Sequence, residues 1–200
     1  MSTDLLRIAV IIGSTREGRF GPTVADWFVT GGGTSAEDHG IAFDIIDLAE
    51  ADLPLTLAGF GQPRPDAVAA LAPRLAAADA FVIVTPEYNH SFPAALKNAI
   101  DWYNSEWRHK PVAFISYGGI SGGLRAVQQL RQVFIELAAV PIRDSVSFHE
   151  YWNEFGADRS WPQPSEARDK AVRTLLEELV WSARTLRAGR RETVGSGVQL

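Results

Sequence analysis

The 200-residue sequence predicts an α/β fold: one domain with a five-stranded parallel sheet and helices on both faces. Three observations carry this expectation. Apolar runs alternate with helical patterns five times over, the order that builds a parallel sheet with crossover helices. The first run is continuous and β-branched rather than alternating, as in a strand buried on both faces. That run, Ile8-Ala9-Val10-Ile11-Ile12, leads directly into the polar loop Gly13-Ser14-Thr15-Arg16-Glu17-Gly18-Arg19.

Taken in order, strands are expected over residues 7–12, 41–47, 80–85, 111–116 and 140–148. Helices are expected over 22–30, 66–78, 93–103, 122–138 and 165–186. Pro22 opens the first helix, where proline suits the first helical position. Gly31-Gly32-Gly33-Thr34-Ser35 reads as a flexible connection to the second strand. The Pro/Gly-rich residues 53–65 read as a loop near the site or a partner subunit. Pro73 interrupts the second helical pattern. The fourth helix has the clearest period, with Leu124, Val127, Leu130, Val133, Phe134 and Leu137 on one stripe. The fifth follows with Val172, Leu175, Leu176, Leu179, Ala183 and Leu186. Residues 149–164 hold Tyr151, Trp152, Phe155 and Trp161 in an irregular stretch. Packing against another surface and packing within the same subunit stand as equal readings of it. The domain is expected to span residues 1–188, with 189–200 a loose, polar, glycine-rich tail.

Composition narrows the function. Hydrophobic residues make up 46% of the chain, enough for a packed core. A net charge of −5 speaks against nonspecific nucleic-acid binding. There is no cysteine, hence no disulfide, thiolate nucleophile or thiolate metal site. No run approaches a membrane span, and the first residues lack signal-peptide character, so a soluble cytoplasmic protein is expected.

Three loops follow the first, third and fourth strands: residues 13–19, Pro86-Glu87-Tyr88-Asn89-His90-Ser91, and Tyr117-Gly118-Gly119-Ile120-Ser121-Gly122-Gly123. Open α/β sheets bind ligands beyond the carboxyl ends of their strands at the switch point. The first loop offers hydroxyls, backbone N–H groups and arginines to a terminal phosphate. It has neither the Lys-Ser/Thr end of the P-loop nor the G-x-G-x-x-G of dinucleotide folds. The other two loops are aromatic and glycine-rich, which suits a planar ring.

These residues resemble the NADPH-dependent FMN reductase family. The resemblance lies in Ile12-Gly13-Ser14-Thr15-Arg16 with Gly18-Arg19, in Thr85-Pro86-Glu87-Tyr88-Asn89, and in Leu96-Lys97-Asn98-Ala99-Ile100-Asp101-Trp102. It continues in Ser116-Tyr117-Gly118-Gly119 with Ser121-Gly122-Gly123-Leu124-Arg125. It covers roughly residues 7–148 in the right order. The resemblance implies a flavodoxin-like, doubly wound five-stranded parallel sheet of order 2-1-3-4-5. It implies FMN as cofactor and NADPH as co-substrate. Ser14, Thr15, Arg16 and Arg19 would hold the FMN phosphate, with Phe20 and Gly21 beside it. Pro86, Glu87, Tyr88 and Asn89 would follow the ribityl chain and one ring edge. Ser116, Tyr117, Gly118 and Gly119 would approach the rest of the ring, where glycines admit backbone to a planar ligand. Lys97 and Asp101 recur in the family without a role in contacting the cofactor.

The expected activity is an NAD(P)H oxidoreductase: hydride passes from NADPH to FMN and then, by a ping-pong mechanism, to a flavin, quinone, azo or metal-oxyanion acceptor. No protein base is needed and no catalytic side chain is assigned. A flavodoxin-like electron carrier and a non-enzymatic flavin-binding protein are the alternatives. A homodimer or a dimer of dimers is expected, from Trp102, Tyr103 and Trp107 and from Tyr151, Trp152 and Phe155. The first three also read as core. No metal site is expected: His39, His90, His109 and His149 are scattered, and Asn153 stands where a zinc-protease pattern from His149 needs histidine. Ser121 reads as a helix N-cap. Arg184, Arg187, Arg190 and Arg191 read as a solvated helix end.

Overall fold

The computed structural model describes residues 5–31, 40–156, 158, 160–162 and 164–196. Five strands, β1 (Leu6–Ile12), β2 (Ile41–Asp47), β3 (Ala80–Pro86), β4 (Pro111–Gly118) and β5 (Val140–His149), form one sheet. Its order is β2-β1-β3-β4-β5 and every pairing is parallel. The apolar runs are continuous because both faces are covered. Ile8, Val10 and Ile12 enter one core and Ala9 and Ile11 the other.

The first core receives α1 (Gly21–Asp26), the turn Trp27–Gly31 that continues it, and α7 (Glu166–Ser196), through Val24, Phe28, Leu175 and Leu179 among others. The second receives α3 (Asp66–Ala77), α4 (Ala94–Trp102) and α5 (Leu124–Glu136). Two short helices also occur among the described residues, α2 (Leu48–Ala51) and α6 (Tyr151–Glu154). Register brings three strand ends level: Ile12 lies against Val84, and Thr85 and Pro86 against Ser116 and Tyr117. The loops that follow therefore share one edge of the sheet.

Several expectations change. The helix expected over 22–30 is α-helical only to Asp26 and continues as a π turn, Trp27–Gly31. The rest of the glycine-rich connection after Gly31 lies outside the described residues. Pro73 does not interrupt α3. It sits on the exposed side, as does Ala69, whose carbonyl loses its helical donor. Leu55 and Phe60 of the 53–65 loop are exposed, while the Pro54 carbonyl is tied to Asn98 Nδ2 and Trp102 Nε1.

The last helix does not give way to a loose tail at Gly189 but runs to Ser196, and residues 197–200 lie outside the described residues. Its arginines are not merely a solvated end. Arg187 pairs with Asp79 at 3.2 Å, and Arg190 donates to the His109 carbonyl and approaches Asp79. Asp79 also accepts from the Arg7 N–H at 3.0 Å, so these contacts lash α7 to the amino ends of β1, β3 and β4.

Trp102, Tyr103 and Trp107 are buried in the second core rather than held for a partner. Tyr103 and Trp107 pack at the end of the sheet opposite the three loops: Trp107 stacks edge-on to Phe81 at the start of β3.

Candidate functional site

The loop after β1 turns out of the sheet at Gly13, whose N–H donates to the Val84 carbonyl at 2.9 Å. Ser14 is fully buried, and its Oγ lies 2.8 Å from the Tyr88 hydroxyl, joining the first loop to the second. Thr15 and Arg16 are exposed. The Arg16 guanidinium lies 5.9 Å from the Tyr88 ring centroid and has no carboxylate partner among the described residues. Arg19 lines the same space but is paired with Asp47 at the end of β2. The two arginines expected to act alike therefore differ: one faces outward, and the other is half of an ion pair.

The second and third loops are clamped together by Glu87, whose side chain is only 8% exposed. Its carboxylate accepts from the Ser121 hydroxyl, from the Arg125 backbone N–H at 3.1 Å and from the Arg125 guanidinium at 2.9 Å. Its own N–H donates to the Tyr117 carbonyl. Burial pushes the carboxyl pKa up, but the hydrogen bonds from Ser121 and Arg125 outweigh it and leave the pKa below its ordinary value. Glu87 thus caps α5 from another loop, and Ser121, expected as the N-cap, serves Glu87 instead. Gly123 stands at the cap position with φ of +89°; a Cβ there would lie 2.6 Å from Ser116 Cβ.

One cavity of about 450 Å³ opens among these loops. The first loop lines it from Arg16 to Phe20, the second from Pro86 to Tyr88, and the third from Tyr117 to Gly119. Two walls were not assigned from sequence: Tyr151 and Trp152 of α6. The aromatic content of that stretch was the signal, but not its direction. Glu150, with φ of +44°, turns the chain after β5, and its N–H donates to the Gly119 carbonyl. Tyr151 and Phe155 then pack on Phe20, with centroids 4.9 and 4.8 Å away. Packing within the same subunit is the outcome for these two.

Other expected residues are placed differently. Ser116 is buried and donates to the Gly122 carbonyl, so it braces the glycine loop instead of facing the cavity. Asn89, with φ of +50°, lines an adjoining cavity with Thr15 and the start of α4. Gly21 is buried, and a Cβ on it would lie 2.6 Å from Ile12 Cγ2 and 3.3 Å from the Tyr117 hydroxyl. Burial drives the Tyr117 phenol well above its ordinary pKa, so it stays protonated. Lys97 and Asp101 bind one another at 2.6 Å across one helical turn, away from the cavity.

The residues fit a flavin mononucleotide. Cationic and hydroxyl donors gather at one end, and Gly118 and Gly119 leave bare backbone between aromatic rings at the other. The fold defines a flavodoxin-like protein, and this cavity lies at the carboxyl edge of its sheet. The chain belongs to the NADPH-dependent FMN reductase family, which it matches over residues 6–153, and it is an oxidoreductase with FMN as cofactor and NAD(P)H as reductant. It is 36% identical over 143 residues to an NAD(P)H-dependent FMN reductase of Schizosaccharomyces pombe, covering 68% of this chain and 70% of the relative. It is 37% identical over 145 residues to a quinone reductase of Escherichia coli, covering 69% and 74% respectively. Among solved structures it is similar to the flavoenzyme FerB of Paracoccus denitrificans, an NAD(P)H:(acceptor) oxidoreductase. The TM-score is 0.67 at 24% identity, over 90% of this chain and 98% of that one, a likeness of fold.

Proposed function

We propose that the chain is an FMN-dependent NAD(P)H:quinone or flavin oxidoreductase that works by a ping-pong mechanism. The observation that supports this reading is the single cavity shared by the loops after β1, β3 and β4. The chemistry FMN supplies when bound is two-electron transfer from NAD(P)H to an acceptor. In this reading Arg16 and Thr15 hold the phosphate with the backbone N–H groups of their loop, and Arg19 adds a neutralised pair at its rim. Tyr88 and Pro86 border one side of the ring and Tyr117, Gly118 and Gly119 the other. Glu87 holds these two sides at a fixed separation and takes no proton. The protein contributes position, dipoles and exclusion of water.

The quinone acceptor follows from the Escherichia coli relative's name and the flavin acceptor from the Schizosaccharomyces pombe relative's. Donor and acceptor use the cavity in turn, because one space of this size serves both. Parallel lines in double-reciprocal plots of NADPH against a benzoquinone are the expected result, and intersecting lines would overturn the shared site. Calorimetry with FMN and riboflavin tests the phosphate end separately: equal affinities would remove it.

The chain is further read as a cytoplasmic two-fold dimer or pair of dimers. With Trp102, Tyr103 and Trp107 inside the fold, the support is now the exposed apolar set Leu55, Phe60, Ile120 and Ile135. Light scattering should give at least twice the 21.8 kDa chain mass. No helix among the described residues is long and apolar enough to cross a membrane.

A further inference from the structure

Trp152 is the least explained aromatic side chain near the cavity. It is 56% exposed, although the aromatics around it are buried or half-buried. Among the described residues its one ring contact is Tyr151, edge-on at 5.3 Å and 70°. Both faces of the indole are left without a stacked partner in that set. The backbone that carries it is anchored on both sides. The left-handed Glu150 and its bond to the Gly119 carbonyl set where α6 begins. Asn153 N–H returns to the Glu150 carbonyl at 2.7 Å, and Arg168 pairs with Glu154. Phe155 is buried between Phe20 and Phe148, with centroids 4.8 and 4.9 Å away. A short helix anchored by these contacts thus presents a half-exposed indole at the cavity rim, with its Cη2 in van der Waals range of where a Cβ on Gly119 would lie, 3.6 Å.

We propose that Trp152 is a specificity-determining residue: it forms the outer wall of the cavity and selects planar aromatic acceptors of the quinone class by stacking. The proposal rests on the oxidoreductase reading above. A flat, polarizable surface favours flat ligands, because stacking grows with shared ring area. An octahedral acceptor such as ferricyanide has no ring to stack and gains nothing from the indole. Truncating Trp152 therefore separates the two acceptor types, whereas damage to the cofactor site lowers turnover with both.

The test compares the FMN-loaded wild type with Trp152→Ala and Trp152→Phe, using NADPH with 1,4-naphthoquinone or with ferricyanide. Trp152→Ala should raise KM for the quinone about 10-fold more than it raises KM for ferricyanide, with both measured on FMN-saturated protein, and Trp152→Phe should recover most of that difference. Calorimetric binding of naphthalene-2-sulfonate, a planar and redox-inert probe, should weaken about 10-fold in Trp152→Ala. It should be unaffected in Trp181→Ala, which removes a more exposed tryptophan outside the cavity. An unchanged quinone KM with unchanged probe binding overturns the proposal, as does an equal loss with ferricyanide. A wild type that oxidises NADPH with neither acceptor defeats the oxidoreductase reading, and probe binding then still decides whether Trp152 recognises planar rings.

Discussion

Two aromatic clusters sit at opposite ends of the sheet and do opposite things. At the amino end, Tyr103 and Trp107 pack with Phe81, Phe114 and Phe134; both are under 3% exposed, with their polar atoms satisfied. Trp107 Nε1 donates to the Ile100 carbonyl and Tyr103 Oη to the Val68 carbonyl. At the carboxyl end, Phe20, Tyr117, Tyr151 and Trp152 surround open space, and Trp152 is left half outside. Both clusters are built from similar residue types. What separates them is the backbone: helices close over the first, while the second borders loops whose glycines carry no side chains to fill the gap.

The largest effect that would sharpen this contrast is on stability at the closed end. Trp107→Ala should cost about 3–5 kcal/mol of unfolding free energy, since a buried ring leaves a cavity that the core cannot fill. Tyr151→Ala, at the half-buried open end, should cost only about 1–2 kcal/mol and weaken FMN binding instead. Urea melts and flavin titrations on the same pair of variants check both halves. Equal stability losses would erase the distinction.

Arg16→Ala should move only the open end. We expect FMN affinity to drop about 10- to 150-fold, the range for losing charge-assisted hydrogen bonds. Stability should change by no more than about 0.5 kcal/mol, because the residue is exposed. Normal FMN affinity in a folded variant would move the phosphate elsewhere.

The smallest expected effect belongs to Glu87, which ties the open end together. Its carboxyl pKa is lowered in the folded state, so its contribution is fully present above the ordinary value and fades as pH falls through the lowered one. Glu87→Gln should cost about 1 kcal/mol at pH 7, because Arg125 is half exposed and solvent screens the pair. The wild-type advantage over the variant should shrink below the ordinary carboxyl pKa of 4.5. A stability difference that stays constant from pH 7 to pH 3 would show that the ion pair contributes nothing.

Much of this arrangement was legible in the residues. The strand runs and the order of the loops predict the sheet and the edge where the cavity lies, because burial on both faces leaves a continuous apolar signature. Thr15, Arg16, Tyr88 and Gly118 are recognisable as site candidates because loop chemistry is local. Glu87, Ser116 and Ser121 were legible as important residues but not in their roles. A carboxylate that caps a helix 38 positions away has no periodicity to announce it. Lys97 and Asp101 look functional, yet they satisfy each other within one turn of helix.

By itself, then, the sequence determined which segments are strands, which face of each late helix is apolar, and where the polar glycine loops fall, since short-range sterics and burial period dictate these. Only the tertiary structure decided the direction of the long-range side chains: Arg19 toward Asp47, Arg187 toward Asp79, Trp107 inward and Trp152 outward. The physical reason is that an arginine or a tryptophan reaches several ångströms from its own backbone. Its environment is set by neighbours that the chain brings up from tens of residues away, and no local pattern records which of them arrives.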